Sequence, residues 1–406
     1  MGSGGREHAL AWKLSQSAEL EALHAAPGNP GIAQLGECHP VRAEDGEGLL
    51  DLCRSLSIGL VVVGPETPLV AGVAEELRRA GVAVFGPSAA AARLEGSKTF
   101  AKEVMQAADV PTAATMSVAR APCVVKVDGL AGGKGVFVCR TPGELDIGLR
   151  AAAAFGDRIL IEELLEGEEI SVFALADGGR VLALAPAQDF KRAREGDEGP
   201  NTGGMGSFSP VPGVTTDAVE ELVDAIHRPV IAELAARGTP FVGLLYAGLM
   251  LTGDGPRVLE FNCRFGDPET QSIVPRLEGD LLVALSAAAS GGLEGIELAA
   301  TSQAAVTVVI AAERYPDAGD TGTPIDGVSD AVETGALVFH AGTALRGTTL
   351  VTNGGRILNV TGVADELVAA REQAYAAVER ITFEGARFRR DIAAAASAVG
   401  GDGALR

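Results

Sequence analysis

Aromatic residues are scarce. They make up 4% of the 406 residues, while glycine alone occurs 53 times. With alanine also abundant, this is a compositional bias and points to no function. Cysteine is equally sparse: Cys38, Cys53, Cys123, Cys139 and Cys263 are scattered, odd in number, and show no CxxC or other metal-type spacing. That fits free thiols in a reducing cytoplasm. No apolar run approaches bilayer-spanning length and no signal peptide opens the chain, so a cytoplasmic protein without membrane contact is expected. Positive charge is short too, with 33 Lys and Arg against 54 Asp and Glu, a formal net charge of −21. This argues against nucleic acid as the main partner, because duplex binding needs clustered cations. An anionic small molecule must be held by local Lys, Arg, glycine backbone or metal, against an unfavourable overall field.

What is present suits a folded chain. Hydrophobic residues are 47% and charged residues 21%, and the length asks for two to four domains. The first hundred residues alternate strand and helix patterns. "LVVVG" (Leu60 to Gly64) and "VAVFG" (Val82 to Gly86) read as strands, "LVAGVAEELRRAG" as one helix between them, and "PSAAAARLEG" as a helix start. Such units imply a parallel sheet with its sites at the carboxyl ends of the strands, here the turns "GPETPL" and "GPS". "SKTFAKEVMQAADV" (Ser97 to Val110) is an amphipathic helix closed by Pro111. Strands then frame a glycine-rich loop, and "RILIEELLEGEEISVFALAD" gives two strands about an acidic turn. Leu182 to Pro210 starts as a strand and continues as a long polar loop, of the kind that is usually functional or disordered. "FVGLLYAGLMLTGDGPRVLEFN" is a hairpin. From about Ser302 the pattern turns to strands, with a last helix from Asp365 to Arg380.

"RVLEFNCRFGDPETQ" (Arg257 to Gln271) is the end of that hairpin. Val258, Leu259 and Phe261 fit a buried strand, whereas Glu260, Asn262 and Arg264 fall on alternate positions and so share one face. An edge strand with a solvated polar face would look the same. "VVKVDGLAGGKGVFV" (Val124 to Val138) sets Lys126 on a strand and Gly133, Lys134 and Gly135 in the following loop. Glycines let backbone amides approach a polyphosphate, and a lysine adds a point charge. The spacing is not that of a Walker A loop, and strand–loop–strand makes a flap. A flexible hairpin with incidental lysines is the plain alternative. In "LIEELLEGEEISV" (Leu160 to Val172) a strand end and a carboxylate suit a purine and its ribose, although a glutamate run is more often a solvated surface.

A lysine strand, a GGKG flap, a hinge with paired glutamates and a metal-ligand strand follow the order seen in the ATP-grasp superfamily. More closely, "GSGGREHALAWKL", "APGNPGIA", "VVVGPETPLVAG", "LEGSKTFAKEVM", "VVKVDGLAGGKGV", "GPNTGGMGSFSP", "LEFNCRFGDPETQ" and "RFRRDI" resemble the phosphoribosylamine–glycine ligase family, also called glycinamide ribonucleotide synthetases. The resemblance runs from Gly2 to Ile392. It implies an α/β fold with three parts: an amino-terminal parallel-sheet domain over 1–96, an ATP-grasp domain over 97–301 with a mobile lid at about 112–173, and a small mixed α/β domain over 302–406.

The resemblance also implies a chemistry. Glycine's carboxylate attacks the γ-phosphorus of ATP, giving glycyl phosphate and ADP, and the amine of 5-phosphoribosylamine then displaces phosphate. Such a reaction is served by positioning and charge neutralisation. In keeping with this, no GxSxG elbow appears and the five histidines show no metal-pair spacing. By resemblance, Glu260 and Asn262 hold Mg2+ or Mn2+ against the ATP phosphates. Lys98, Lys126, Gly133, Lys134 and Gly135 serve those phosphates. Glu162, Glu163 and Leu165 form the adenine-facing hinge, with Glu169 on the ribose, and the loop from Asn201 through Thr202, Gly203 and Gly204 to Gly206 offers amides near the reacting phosphate. Asp189, Lys191, Arg264 and Asp267 wall the glycine side. Gly4, Gly5, Arg6, Glu7, Asn29, Pro65 and Glu66 receive phosphoribosylamine. A monomer or weak homodimer is expected, with small-molecule partners only.

Three departures stand out. Family members begin with an apolar strand ahead of the first glycine turn, whereas here Met1 sits directly on "GSGGREH"; a start placed late in the gene is the favoured reading. A helix of about three turns expected between "PTAATMSVAR" and "APCVVK" is absent. Phe190 stands where the family has histidine. The rivals are another carboxylate–amine ligase, which predicts a different loop at "GPNTGGMG", and a dinucleotide-binding dehydrogenase, for which "GSGGREH" lacks its strand. A third is a binding module that keeps ATP affinity alone.

Overall fold

The computed structural model describes residues 1–132, 134–156 and 158–398. The first part contains α1 (Gly5–Leu14), β1 (His24–Ala25), β2 (Glu37–Cys38), α2 (Gly46–Leu56), β3 (Leu60–Val62), α3 (Glu66–Ala71), α4 (Val73–Arg79), β4 (Ala83–Phe85) and α5 (Ala89–Gly96). The single helix expected over "LVAGVAEELRRAG" is two, because Gly72 takes φ +90° between α3 and α4, a conformation open to glycine. The strands pair in parallel, β1 with β2 and β3 with β4.

These two ribbons are joined by Met1 and Gly2. The Gly2 N–H donates to Ala26 O at 2.8 Å and the Gly64 N–H to Met1 O at 3.1 Å, while the Met1 ammonium donates to Val62 O at 2.8 Å. Beyond Met1 the gap between β1 and β3 is a cavity of about 780 Å³, walled by apolar side chains that include Leu10, Leu14, Leu60 and Val62. Burial there pushes the ammonium pKa of Met1 down.

The second part opens with α6 (Lys98–Ala107) and a small antiparallel lid of β5 (Cys123–Val127), β6 (Val136–Cys139), α7 (Pro142–Ala153) and β7 (Ile159–Glu163), in strand order β6-β5-β7. The short stretch after Pro111 runs extended, bridging Thr112 to Val258 and Thr115 to Glu162. Next come β8 (Glu168–Asp177), β9 (Val181–Asp189), β10 (Arg192–Arg194), β11 (Glu198–Asn201), β12 (Gly206–Ser209), α8 (Thr216–Leu222), α9 (Arg228–Ala236), β13 (Val242–Thr252), β14 (Gly255–Asn262), α10 (Glu269–Ile273), β15 (Leu277–Glu278), α11 (Leu281–Ala289) and β16 (Ala299–Ala300). The expected long polar loop is therefore built from short strands. Arg389, fully buried, clamps its tip by donating to Arg192 O at 2.9 Å and facing Asp197.

The third part holds β17 (Ala304–Ala311), β18 (Asp320–Pro324), α12 (Val328–Glu333), β19 (Leu337–His340), β20 (Thr343–Arg346), β21 (Thr349–Gly354), β22 (Arg356–Ala364), α13 (Leu367–Val378) and α14 (Ala394–Ala398). It shares a sheet with the second part. One eight-stranded sheet runs β14-β13-β8-β9-β12-β17-β22-β19, crossing at the β12–β17 pairing from Gly206↔Val308 to Ser209↔Ala305. Alternate residues of β8 and β13 supply the cores on its two faces. Among the described residues no helix is long and apolar enough to cross a membrane.

Candidate functional site

A cleft of about 350 Å³ opens where the three parts meet. Lysines of β5 and α6 form one wall. Lys126, at the fourth position of β5, donates to Glu162 at 2.6 Å and to Leu259 O at 2.8 Å. Lys102, one turn along α6 from Lys98, reaches the other oxygen of Glu162 at 2.5 Å. Lys98 donates to Gly129 O at 3.1 Å. Burial pushes Lys98 and Lys102 down, with Glu260 and Glu162 respectively opposing. Glu162 is thus fully engaged as the counter-ion of two lysines, while Glu163 accepts the Ala114 N–H at 2.8 Å and Leu165 sits half-buried in the turn after β7. Lys134 donates to Pro316 O at 2.7 Å, tying the flap to the third part. Gly135 lines the cleft, and Gly133 lies outside the described residues.

The opposite wall is β14. Its pairing with β13 slips at Leu259, since Gly248 opposes Glu260 and Leu249 opposes Val258. This β-bulge changes the phase of the strand. Val258 and Phe261 both enter the core, and Leu259, read from the sequence as buried strand, instead lines the cleft beside Glu260 and Asn262. Past the strand end, Arg264 is held from four sides: Glu66 at 3.3 Å, Glu95 at 3.2 Å, and Asn262 Oδ1 and Phe265 O at 3.2 Å each. Burial pushes the Glu95 carboxyl up although Arg264 opposes it. On Glu66 the charges of Arg264 and Arg6 outweigh burial and hold the pKa down. Against burial, the two carboxylates hold the Arg264 pKa above its ordinary value; at these distances the trio is ionic.

A second charged group lines the same cleft. Lys191 bridges Glu169 at 2.5 Å and Asp189 at 2.9 Å. Burial disfavours its charge, but both carboxylates outweigh this and hold it well above the usual lysine range. Nearby Glu269 has its pKa pushed to about 7, by burial first and by the Asp189 charge second. In the loop after Asn201 the backbone amides have partners within the protein. Thr202 N–H donates to Lys191 O, Met205 N–H to Phe190 O, Gly203 N–H to the Tyr315 hydroxyl at 2.8 Å, and Gly204 N–H to Thr202 Oγ1 at 3.0 Å. Asn201 donates its side-chain amide to Val136 O at 3.3 Å, joining the loop to β6. Phe190 turns away, packing on Phe208 at 6.1 Å with the Arg389 guanidinium 5.0 Å above its ring.

From the first part, Arg6, Pro65 and Glu66 reach the cleft. Glu7 accepts from Arg6 at 2.6 Å and from the Gly4 N–H at 2.6 Å, closing the start of α1. A side chain on Gly5 would meet Asn359 and Gln271 at 2.1 and 2.7 Å, so α1 must present bare backbone to the third part. Asn29 holds its own turn: it accepts from the Gly31 and Ile32 N–H groups and donates to Ser3 O and His340 O.

Residues 1–95, 96–270 and 305–395 match the N, ATP-grasp (A) and C domains of phosphoribosylglycinamide synthetase. The chain belongs to that family. It is 50% identical to a phosphoribosylamine–glycine ligase of Streptomyces coelicolor, over 98% of both chains. A counterpart from Rhizobium meliloti is 47% identical over 97% of this chain and 96% of that one. Among solved structures, the phosphoribosylamine–glycine ligase of Thermotoga maritima superposes with a TM-score of 0.80 at 34% identity, covering 96% and 98% of the two chains. The biotin carboxylase domain of a Hydrogenobacter thermophilus 2-oxoglutarate carboxylase shares the fold, with a TM-score of 0.67, 17% identity and 95% and 90% coverage.

Within this phosphoribosylglycinamide synthetase fold, four cleft residues escaped the motif reading. Glu95 and Lys102 sit on helices whose sequence gives no sign of a partner across the fold, although Lys98 and Lys102 do share a helical face. Glu269 lies in the quoted "GDPETQ" but carries no assigned role. Arg356, at the start of β22, reaches Asp267 at 3.0 Å and donates to the carbonyls of Asp267 and Gly203. The metal expectation has a physical basis: no hydrogen bond or ion pair engages the half-buried Glu260 carboxylate among the described residues, and Asn262 adds an amide oxygen. Two oxygen donors side by side on one wall of the cleft suit a hard divalent cation.

Proposed function

We infer that the chain ligates glycine to 5-phosphoribosylamine, consuming ATP and releasing glycinamide ribonucleotide, ADP and phosphate, in the cytoplasm. The observation that carries this reading is the convergence of Lys98, Lys126, Glu260, Asn262 and Arg264 on one cleft in a chain of this family.

Lys98 and Lys126 neutralise ATP phosphates, and Lys134 completes the flap when it leaves Pro316. Glu169 takes the ribose, and the turn at Leu165 borders the adenine. Glu260 and Asn262 would hold the divalent cation, Mg2+ or Mn2+, which when bound would supply positive charge beside the ATP phosphates. Arg264 and Lys191 pair with the glycine carboxylate and align one oxygen with the γ-phosphorus. Arg6, Pro65 and Glu66 border the phosphoribosylamine site, so that the amine meets glycyl phosphate inside the cleft rather than in water.

The test is ADP release from purified protein with Mg-ATP, glycine and phosphoribosylamine generated in place, omitting each in turn. Release that requires all three supports the reading. Release that persists without glycine, or that exceeds about one ADP per protein without phosphoribosylamine, contradicts it.

A further inference from the structure

Far from the cleft in function, the first part of the chain carries a group of side chains that the ligase chemistry does not use. His24 lies on β1 and Glu37 on β2, and the two are register partners in a parallel pair. Directly opposed residues present their side chains on the same face of a sheet. His39, two residues after Glu37, falls on that face again by strand periodicity. The result is an imidazole, a carboxylate and a second imidazole on one small surface. His24 Nδ1 and His39 Nε2 are 3.1 Å apart, and Glu37 Oε2 is 3.9 Å from His24 Nδ1. One ligand atom from each of the three lies within 4.8 Å of the others.

We propose that His24, Glu37 and His39 form a binding site for a borderline transition-metal ion such as Zn2+. Around a tetrahedral ion with bonds of about 2.0–2.1 Å, neighbouring donors stand about 3.3 Å apart. These two separations straddle that spacing and the third pair lies within 4.8 Å, so side-chain rotation, chiefly of the exposed Glu37, completes the geometry. Two neutral imidazoles and one carboxylate select Zn2+, Ni2+ or Cu2+ over Mg2+, which prefers oxygen alone. The site is accessible: the His24 side chain is 18% exposed and that of Glu37 67%, leaving a fourth position to water. Cys38 is not a ligand, since it alternates to the other face and points its thiol at Asn29 O, 3.8 Å away. An ion here links β1 to β2 directly ahead of the turn that contains Asn29.

The proposal is tested on the full chain, stripped with a chelator and held in excess Mg2+ so that oxygen sites are filled. Zn2+ is titrated against a chromophoric chelator, and Co2+ binding is followed by its visible absorption, which is intense for a four-coordinate nitrogen-containing site and weak for six-coordinate oxygen. One equivalent of Zn2+ is expected, with a four-coordinate Co2+ spectrum. His24→Ala and His39→Ala should each weaken Zn2+ binding by more than about tenfold and abolish that spectrum, with thermal midpoints unchanged in the absence of metal. Cys38→Ser should bind as the parent does. Absence of Zn2+ binding in the parent overturns the proposal, as does equal affinity in a folded His24→Ala/His39→Ala double variant. Loss of the site on Cys38→Ser overturns the ligand set.

Discussion

Arg264 and Glu95 lie 3.2 Å apart with both side chains largely buried. The pair joins α5, at the end of the first part, to the end of β14 in the second. Glu95 also accepts the Cys263 N–H at 2.7 Å, so one carboxylate fixes both the backbone and the guanidinium of that segment. Removing it leaves a buried cation with Glu66 alone and an N–H without a partner. Glu95→Ala should cost roughly 3 kcal/mol and show as a lower urea midpoint at unchanged slope. A midpoint equal to the parent's would show that the pair contributes nothing to holding Arg264.

Arg356 makes a different kind of link. It ties the third part of the chain to Asp267 and to the Gly203 carbonyl, so loop and strand end are positioned by one side chain. Arg356→Ala should lower kcat by about 10- to 100-fold, as a displacement near 1 Å does, with a smaller change in KM for ATP. Steady-state kinetics check this, and a kcat within twofold of the parent contradicts it.

Three histidines set the acid limit. His8 accepts the His340 N–H on Nδ1 at 2.8 Å, and burial lowers its pKa to about 3. Burial likewise lowers His340 and His227 to about 4, from an ordinary 6.5. Between pH 6.5 and 4 the unfolded chain takes up protons that the folded chain refuses. Stability is therefore complete above that window and lost as pH falls through it, by at most about 3 kcal/mol per group. Glu269, raised to about 7, has the opposite sign: its contribution is full below the usual carboxyl range and is lost as pH rises towards 7. Among the described residues neither ring nitrogen of His227 meets a partner in good hydrogen-bond geometry, although the Val172 and Leu245 backbones lie beside the ring, so His227→Leu should fold and show a shallower fall in thermal midpoint between pH 6.5 and 4. An identical slope would mean that His227 is not protonated on unfolding.

The slot beside Met1 makes a prediction about stability. Both β1 and β3 face a cavity of about 780 Å³, and Met1 and Gly2 pair between them. Joining about five apolar, β-branched residues ahead of Met1 would fill one ordinary strand and move the ammonium out of its buried position. The thermal midpoint should rise, by about 1 °C for each kcal/mol gained in a chain of 406 residues. No rise, with the added residues open to protease, would count against the slot as a strand position.

Much of this was legible in the sequence. The phosphate-side elements were, because strands β5 and β14 announce themselves by periodicity and glycines mark the flap. The helix over Asp365 to Arg380 was placed to within two residues at each end. What escaped depends on contacts between distant segments. The bulge at Leu259 obeys no local rule, yet it decides which residues face the cleft. Glu95 sits in an alanine-rich helix and meets a segment 168 residues away. The sheet shared through β12 and β17 joins the second and third parts, a link that no local pattern shows because each strand is ordinary by itself. His24 and His39 show no metal spacing in sequence; parallel pairing of β1 with β2 brings them together. The partners of the Gly203 and Gly204 amides, Tyr315 and Thr202, are set by tertiary contacts that the motif does not show.

The central claim is that the glycine carboxylate attacks ATP before any amide forms. It is tested most directly with glycine carrying 18O in both carboxylate oxygens, turned over with Mg-ATP and phosphoribosylamine, and mass analysis of the phosphate released. Displacement of phosphate from glycyl phosphate carries one carboxylate oxygen with it, so each phosphate should contain one 18O. Phosphate without 18O, formed alongside the amide product, would contradict the account.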